Sequence, residues 1–115
     1  MVEAFLGLYT RDRLPQWKQL FLPGFVAVAT NPDGTVTSYT LEQFYERQRG
    51  LFASGKAVSE TMMNTEKHRN GRLASVRSDY VWTDGTAKHP GRLVMQLVEE
   101  NGAFRIQALA FSYLG

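Results

Sequence analysis

The sequence contains no cysteine, which excludes disulfides, thiolate catalysis and cysteine-type zinc sites together. Long apolar runs are missing as well. The longest, such as Phe25-Val26-Ala27-Val28-Ala29, fall far short of the roughly 20 residues a membrane helix needs. The N-terminus lacks the basic region, apolar stretch and small-residue cleavage site of a secretory signal. Charge of one sign is scarce: the formal net charge is +2, too small and too evenly mixed with acids for a nucleic-acid footprint. The local cluster Lys67-His68-Arg69 with Arg72 flanks a turn signal, Asn70-Gly71, and reads as a solvated turn. These absences point to a cytoplasmic chain with neither a membrane nor a nucleic-acid partner.

What is present fits one core. With 115 residues and 43% hydrophobic composition, residues 1–115 form a single domain and are too few for two. Val2, Phe5, Leu6 and Tyr9 fall on one helical stripe. Asp12 can cap a second short helix with Pro15 in its first turn, where a missing N–H costs little. That helix buries Leu14, Trp17, Leu20 and Phe21, and Pro23-Gly24 stops it. A strand over Phe25–Thr30 meets the turn signal Asn31-Pro32-Asp33-Gly34, after which Thr35–Tyr39 can return as a strand. Thr40-Leu41-Glu42-Gln43 has the spacing of a capping box. The helix it opens buries Leu41, Phe44, Tyr45, Leu51 and Phe52 and ends near Gly55. From about Val58 the pattern changes to period two. Asn70-Gly71, Asp84-Gly85 and Asn101-Gly102 divide it into four strands of a meander.

Counting outward from Asn70-Gly71 places Ser59, Thr61, Met63, Thr65, Ala74, Val76, Ser78, Tyr80 and Trp82 on one face. Glu60, Met62, Asn64, Glu66, His68, Ser75, Arg77 and Asp79 fall on the other. The first set must face the core, because burying the second would strand several charges. Counting from Asn101-Gly102 turns Leu93, Met95, Leu97, Phe104, Ile106, Ala108, Ala110 and Ser112 inward. On the reverse, Val94, Val98, Leu109 and Phe111 make an exposed apolar patch, and such patches usually meet a partner. The expectation is a homodimer through this sheet face, centred on Arg92, Val94, Leu109 and Phe111.

The order of these pieces resembles the nuclear transport factor 2-like superfamily, which includes SnoaL-like and ketosteroid-isomerase-like proteins of the cystatin-like fold. Trp17 with Leu20-Phe21-Leu22-Pro23-Gly24-Phe25-Val26-Ala27-Val28 is similar to that family's helix-to-strand passage. Asn31-Pro32-Asp33-Gly34 before a capped third helix, and the closing hairpin from Gly91 to Ile106, are similar too. The resemblance implies an α+β fold: N-terminal helices packed on a strongly curved antiparallel sheet, a cone enclosing a pocket, commonly dimeric through the sheet. The first helix starts almost at Met1 and is shorter than is usual there. That implies a more open mouth or an N-terminal extension of the native chain.

Enzymes of this superfamily place Asp, His or Tyr inside the cone for acid–base chemistry. Here every position read as inward on the last hairpin is non-ionisable. Arg77 and Asp79 form an Arg-x-Asp pair that resembles the sites of limonene-epoxide-hydrolase-like proteins, but the register turns both outward. His68 and His89 lie too far apart to hold a metal. Trp17, Phe21, Tyr45, Met63, Ser78, Tyr80, Trp82, Met95 and Phe104 are the expected ligand-pocket residues, with Ser59 and Thr61 interleaved. Small polar groups buried beside large aromatics cost stability unless water or a ligand pairs with them. The expected function is therefore a small-ligand-binding or assembly domain with an apolar pocket and no cofactor. The alternative is an isomerase, dehydratase or epoxide hydrolase that uses Asp79 and Arg77.

Overall fold

The computed structural model describes residues 1–114. α1 (Val2–Gly7) buries Phe5, and Tyr9 follows it into the core from the turn beyond. α2 (Leu14–Lys18) carries Pro15 in its first turn, as expected, but Arg13 rather than Asp12 stands at its N-cap and no side chain caps it. Leu14 and Trp17 are buried on its inner face. Phe21 belongs to the next strand instead: β1 (Phe21–Thr30) starts before Pro23-Gly24, and that pair interrupts the strand's register rather than preceding the strand. The physical reason is that proline removes one ladder donor without preventing extended backbone at an irregular position.

β2 (Val36–Thr40) pairs antiparallel with β1. The capping box then forms as its spacing predicts. The Gln43 amide N–H donates to the Thr40 hydroxyl at 3.2 Å, and the Thr40 N–H donates to the Gln43 side chain at 2.9 Å. It opens α3 (Leu41–Ala53). Lys18 reaches Glu42 at 2.7 Å and ties α2 to the start of α3. β3 (Val58–Asn70), β4 (Leu73–Asp84), β5 (Ala87–Glu100) and β6 (Ala103–Tyr113) form the meander. The six strands lie in the order β2-β1-β6-β5-β4-β3. The sheet is curled but not closed, and it is antiparallel except where β1 runs parallel to β6. Among the described residues, no helix is long and apolar enough to cross a membrane.

The core lies between the helices and the concave face of the sheet. Trp17, Phe21, Phe25, Met95 and Ile106 are fully buried. Trp17 and Phe21 meet edge to face at 4.7 Å between ring centres, and Phe21 meets Phe25 at 4.6 Å. Such pairs add about 0.5–1.5 kcal/mol each beyond the area they bury; the first joins α2 to β1, and the second braces β1 across its irregular Pro23-Gly24 segment.

Two β-bulges set which residues enter the interior. In β3 the register slips between Met63 and Glu66, with Asn64 in the left-handed region at φ 55°. In β6 it slips opposite Gln96 and Leu97, leaving Gln107 as the extra residue. Because side chains alternate along a strand, one inserted residue reverses every face beyond it. Counting from the turns is therefore correct only as far as each bulge. Thr65, Ala74, Val76, Ser78, Tyr80 and Trp82 face inward as expected. Beyond the β3 bulge, however, Met62 pairs with Tyr80, and Glu60 pairs with Trp82. Those two turn inward while Ser59, Thr61 and Met63 turn out. Beyond the β6 bulge, Leu109, Phe111 and Tyr113 replace Ala108, Ala110 and Ser112 on the inner face.

Among the described residues, Gly91 is the one glycine whose missing side chain the packing requires. A Cβ there would stand 2.5 Å from Cζ and Oη of Tyr80, and closer still to the Ser112 carbonyl oxygen. Gly91→Ala is expected to lower stability by about 1–3 kcal/mol through overpacking. Tyr80→Leu in the same chain should recover part of that loss. Denaturant unfolding of the two single variants and the double variant measures the coupling, and additive losses would refute this contact.

Candidate functional site

Enclosed by the helices and the concave sheet is a cavity of about 140 Å³. Helical spacing brings Phe5, Tyr9, Trp17 and Phe44 to its upper wall. Strand alternation brings Tyr80 and Trp82 to its floor from β4, and, beyond the bulges of β3 and β6, Glu60, Leu109, Phe111 and Tyr113. Arg47 is the exposed member of the lining and marks the mouth; its guanidinium sits over the Tyr39 ring at 5.4 Å. The wall is mostly aromatic, with Asn31, Arg47, Gln48 and Glu60 as its other polar side chains.

Of the residues the sequence singles out, Trp17, Tyr80 and Trp82 line this cavity. Phe21 and Met95 lie in the packed core beside it. Tyr45 is half-buried beneath the Lys18 amine, 4.7 Å from its ring centre. Phe104 is half-buried under the Arg69 guanidinium at 4.9 Å, in a separate surface hollow with Val2 and Leu97. Met63 is 43% exposed on the outer side. Ser78 is buried but engaged: its hydroxyl lies 3.0 Å from the Met63 carbonyl and 2.8 Å from the Thr65 hydroxyl. It holds the β3 bulge and does not face the cavity.

Asp79 and Arg77 do face outward, and they are not paired with each other. Asp79 accepts a hydrogen bond from the Asn64 amide at 2.9 Å and meets Arg92 at 3.4 Å. Arg77 is exposed between Glu66 and Val94. Of the four residues assigned to a sheet-face interface, Arg92 and Val94 are exposed on the outer face. Leu109 and Phe111 line the cavity instead, because the β6 bulge reverses their phase. No three His, Asp or Glu side chains among the described residues cluster as metal ligands.

Counting from the turns overlooked Glu60 and Tyr113. For Tyr113 a signal exists: the apolar positions Phe104 and Ile106 are followed by Leu109, Phe111 and Tyr113, a jump in phase of one residue that marks a bulge. For Glu60 the signal is fainter. Asn64 is a residue type that tolerates positive φ, but nothing apolar beyond it announces the new phase.

The polar groups divide into a satisfied set and an unsatisfied one. The Trp82 indole N–H donates to the Tyr9 hydroxyl at 3.1 Å, and that hydroxyl donates to the buried Gln48 side-chain oxygen. Burial raises the Tyr9 hydroxyl well above its ordinary value. By contrast, the Tyr80 hydroxyl and the Trp17 indole N–H are buried without a hydrogen-bond partner. The carboxyl of Glu60 has neither an ion pair nor a hydrogen bond among the described residues. Burial among the rings pushes it up to about 7. Burial also raises both Tyr80 and Tyr113; Tyr113 and then Glu60 push Tyr80 further up, and Glu60 adds to the rise at Tyr113. A carboxyl in this range can accept or release a proton at neutral pH. It is the chemically distinctive group of the cavity.

No protein-family profile and no curated protein matches the chain in sequence. Solved structures do match its shape. A scytalone dehydratase candidate from Novosphingobium aromaticivorans superposes with TM-score 0.79 at 12% identity, covering 99% of this chain and 79% of that one. An NTF2-like protein of unknown function from Silicibacter pomeroyi gives TM-score 0.73 at 13% identity, over 98% and 89%. Bd1075 of Bdellovibrio bacteriovorus gives TM-score 0.80 at 9% identity over 99% of this chain, which spans only 38% of its length. The fold is that of the nuclear transport factor 2-like proteins, as the motifs of the sequence imply.

Glu60 makes stability fall with pH in a defined window. Below pH 4.5 both the folded and unfolded chain hold its proton; between 4.5 and about 7 only the folded chain does. Stability due to this group is thus lost as pH rises from 4.5 to 7, by at most about 3 kcal/mol. Glu60→Gln is expected to match the parent in melting temperature at pH 4.5 and exceed it at pH 8. Parallel melting curves at both pH values would show that the carboxyl is not held in a low-dielectric site.

Proposed function

We propose that the chain is a binding module for a small, mainly apolar molecule with an aromatic or alicyclic ring, held in the cone. The observation that carries this reading is the cavity itself: about 140 Å³ of space, aromatic walls, and buried hydroxyl and indole groups left without partners. A cavity of roughly this size in an apolar core accepts one benzene-sized ring, and the polar side chains in its wall can orient a ligand. No turnover is assigned to Asp79 and Arg77, since both lie across the sheet from the cavity. The absence of cysteine is compatible with a cytoplasmic setting, which belongs to the same proposal.

Trp17 and Trp82 are the only two tryptophans, and both touch the cavity. Toluene and indole-free ring compounds such as cyclohexanol are expected to shift or quench their fluorescence, with Kd near 0.1–1 mM for ligands of about seven heavy atoms. Ala29→Leu, which grows into the cavity from β1, should weaken this about tenfold while the far-ultraviolet spectrum stays unchanged. A fluorescence signal indifferent to every ring compound at saturation would remove the reading.

We also propose self-association through the outer sheet face, recentred by the bulges. Val26 and Val94 are 44% and 39% exposed, and the register places Ala108 and Ala110 between them. Arg92 lies beside this strip on β5. An exposed apolar strip of this kind favours a matching strip on a second copy. Val94→Glu is expected to convert a dimer to a monomer in sedimentation. A parent chain that stays monomeric at millimolar concentration overturns the idea.

A further inference from the structure

We infer that the polar end of the cavity is a cation subsite: Glu60, framed by Tyr9, Tyr80, Trp82 and Tyr113, receives the protonated nitrogen of a small amine. This rests on the reading of the cavity as a ligand site and names the class of ligand it selects.

Three observations converge on Glu60. It lines both the cavity and an adjoining surface groove with Arg11, Phe52 and Lys56, so it stands where the interior meets solvent. It has no counter-ion among the described residues, and a carboxylate largely withdrawn from water without one is costly. Four aromatic side chains surround it. Trp82 is its partner across the strands, and Tyr9, Tyr80 and Tyr113 are near enough for its charge to act on their hydroxyls. A carboxylate beside several ring faces is the arrangement that recognises an ammonium group, through an ion pair and the negative faces of the rings. An anion would add to the charge of Glu60, and a purely apolar ring would leave that carboxylate unpaired.

The other charged and titratable groups facing this corner do not supply that partner. Arg47 on α3 is exposed at the mouth and stacks on Tyr39. Lys56 in the groove pairs with Asp84 at 3.8 Å, and Arg11 is exposed. His89 on β5 packs behind Trp82 with ring centres 5.4 Å apart.

In the empty cavity Glu60 is partly protonated at neutral pH; an ammonium group holds it as the carboxylate, so binding releases a proton to solvent. The test is calorimetric titration of the whole chain with benzylamine, benzyl alcohol and toluene, at pH 6 and pH 8, in buffers of different ionisation heat. Benzylamine is expected to bind at least tenfold more tightly than benzyl alcohol at pH 8. Its affinity should fall about tenfold at pH 6, where only about a tenth of the chains carry the carboxylate. Glu60→Gln should erase both the preference and the pH dependence. Proton release in the parent chain, read from the buffer series, checks the inference without any variant. If toluene or benzyl alcohol binds as well as benzylamine and no proton is released, the cation subsite is refuted while the cavity reading stands. If none of the three binds, both fall.

Discussion

The hydroxyl of Ser78 and the left-handed backbone at Asn64 hold one surplus residue in β3, and the character of the cone's interior depends on it. Side chains alternate along a strand without exception, so a single extra residue exchanges the two faces of everything beyond it. Ser78 secures the slip from inside, through the Met63 carbonyl and Thr65 hydroxyl. Asn64 secures it from outside, through the Asp79 carboxylate. Remove the slip, and the floor of the cavity near Trp82 would be built from Ser59, Thr61 and Met63, with no ionisable group among them.

The same device sorts two carboxylates into different chemistries. Asp79 and Glu60 lie on neighbouring strands. Asp79 faces solvent, with Asn64 and Arg92 to satisfy it. Glu60 points among rings and has no partner, so its proton is held until about neutral pH. Nothing in the composition of either strand distinguishes the two acids. Their surroundings do, and those surroundings are fixed by one register slip.

Much of the architecture was legible from residue order. The capping box at Thr40 and Gln43 formed with both bonds, the meander had its expected four strands, and Asn101-Gly102 turned with both residues at positive φ, as a tight two-residue hairpin demands. The inward set on β4 was legible too, because that strand has no bulge. The pairing of β1 with β6 in parallel was not, since it joins the two ends of the chain and leaves no local mark. The site was legible only in part. Trp17, Tyr80 and Trp82 were found because aromatic size and phase agree at those positions. Glu60 was missed because a charge on a strand is ordinarily solvated, and only the three-dimensional slip makes it otherwise. Leu109 and Phe111 were assigned to an outer patch for the same reason in reverse.

β3 is also an outermost strand of the sheet, thirteen residues long, with hydrogen-bonding groups along one side that another polypeptide could copy. A straight apolar edge of that length is an invitation to cross-β growth. Here the kink at Asn64 breaks the ribbon into two short segments, and Glu66, Lys67, His68 and Arg69 cover the farther one with charge. The irregularity that furnishes the interior therefore also makes this margin a poor template for strand addition.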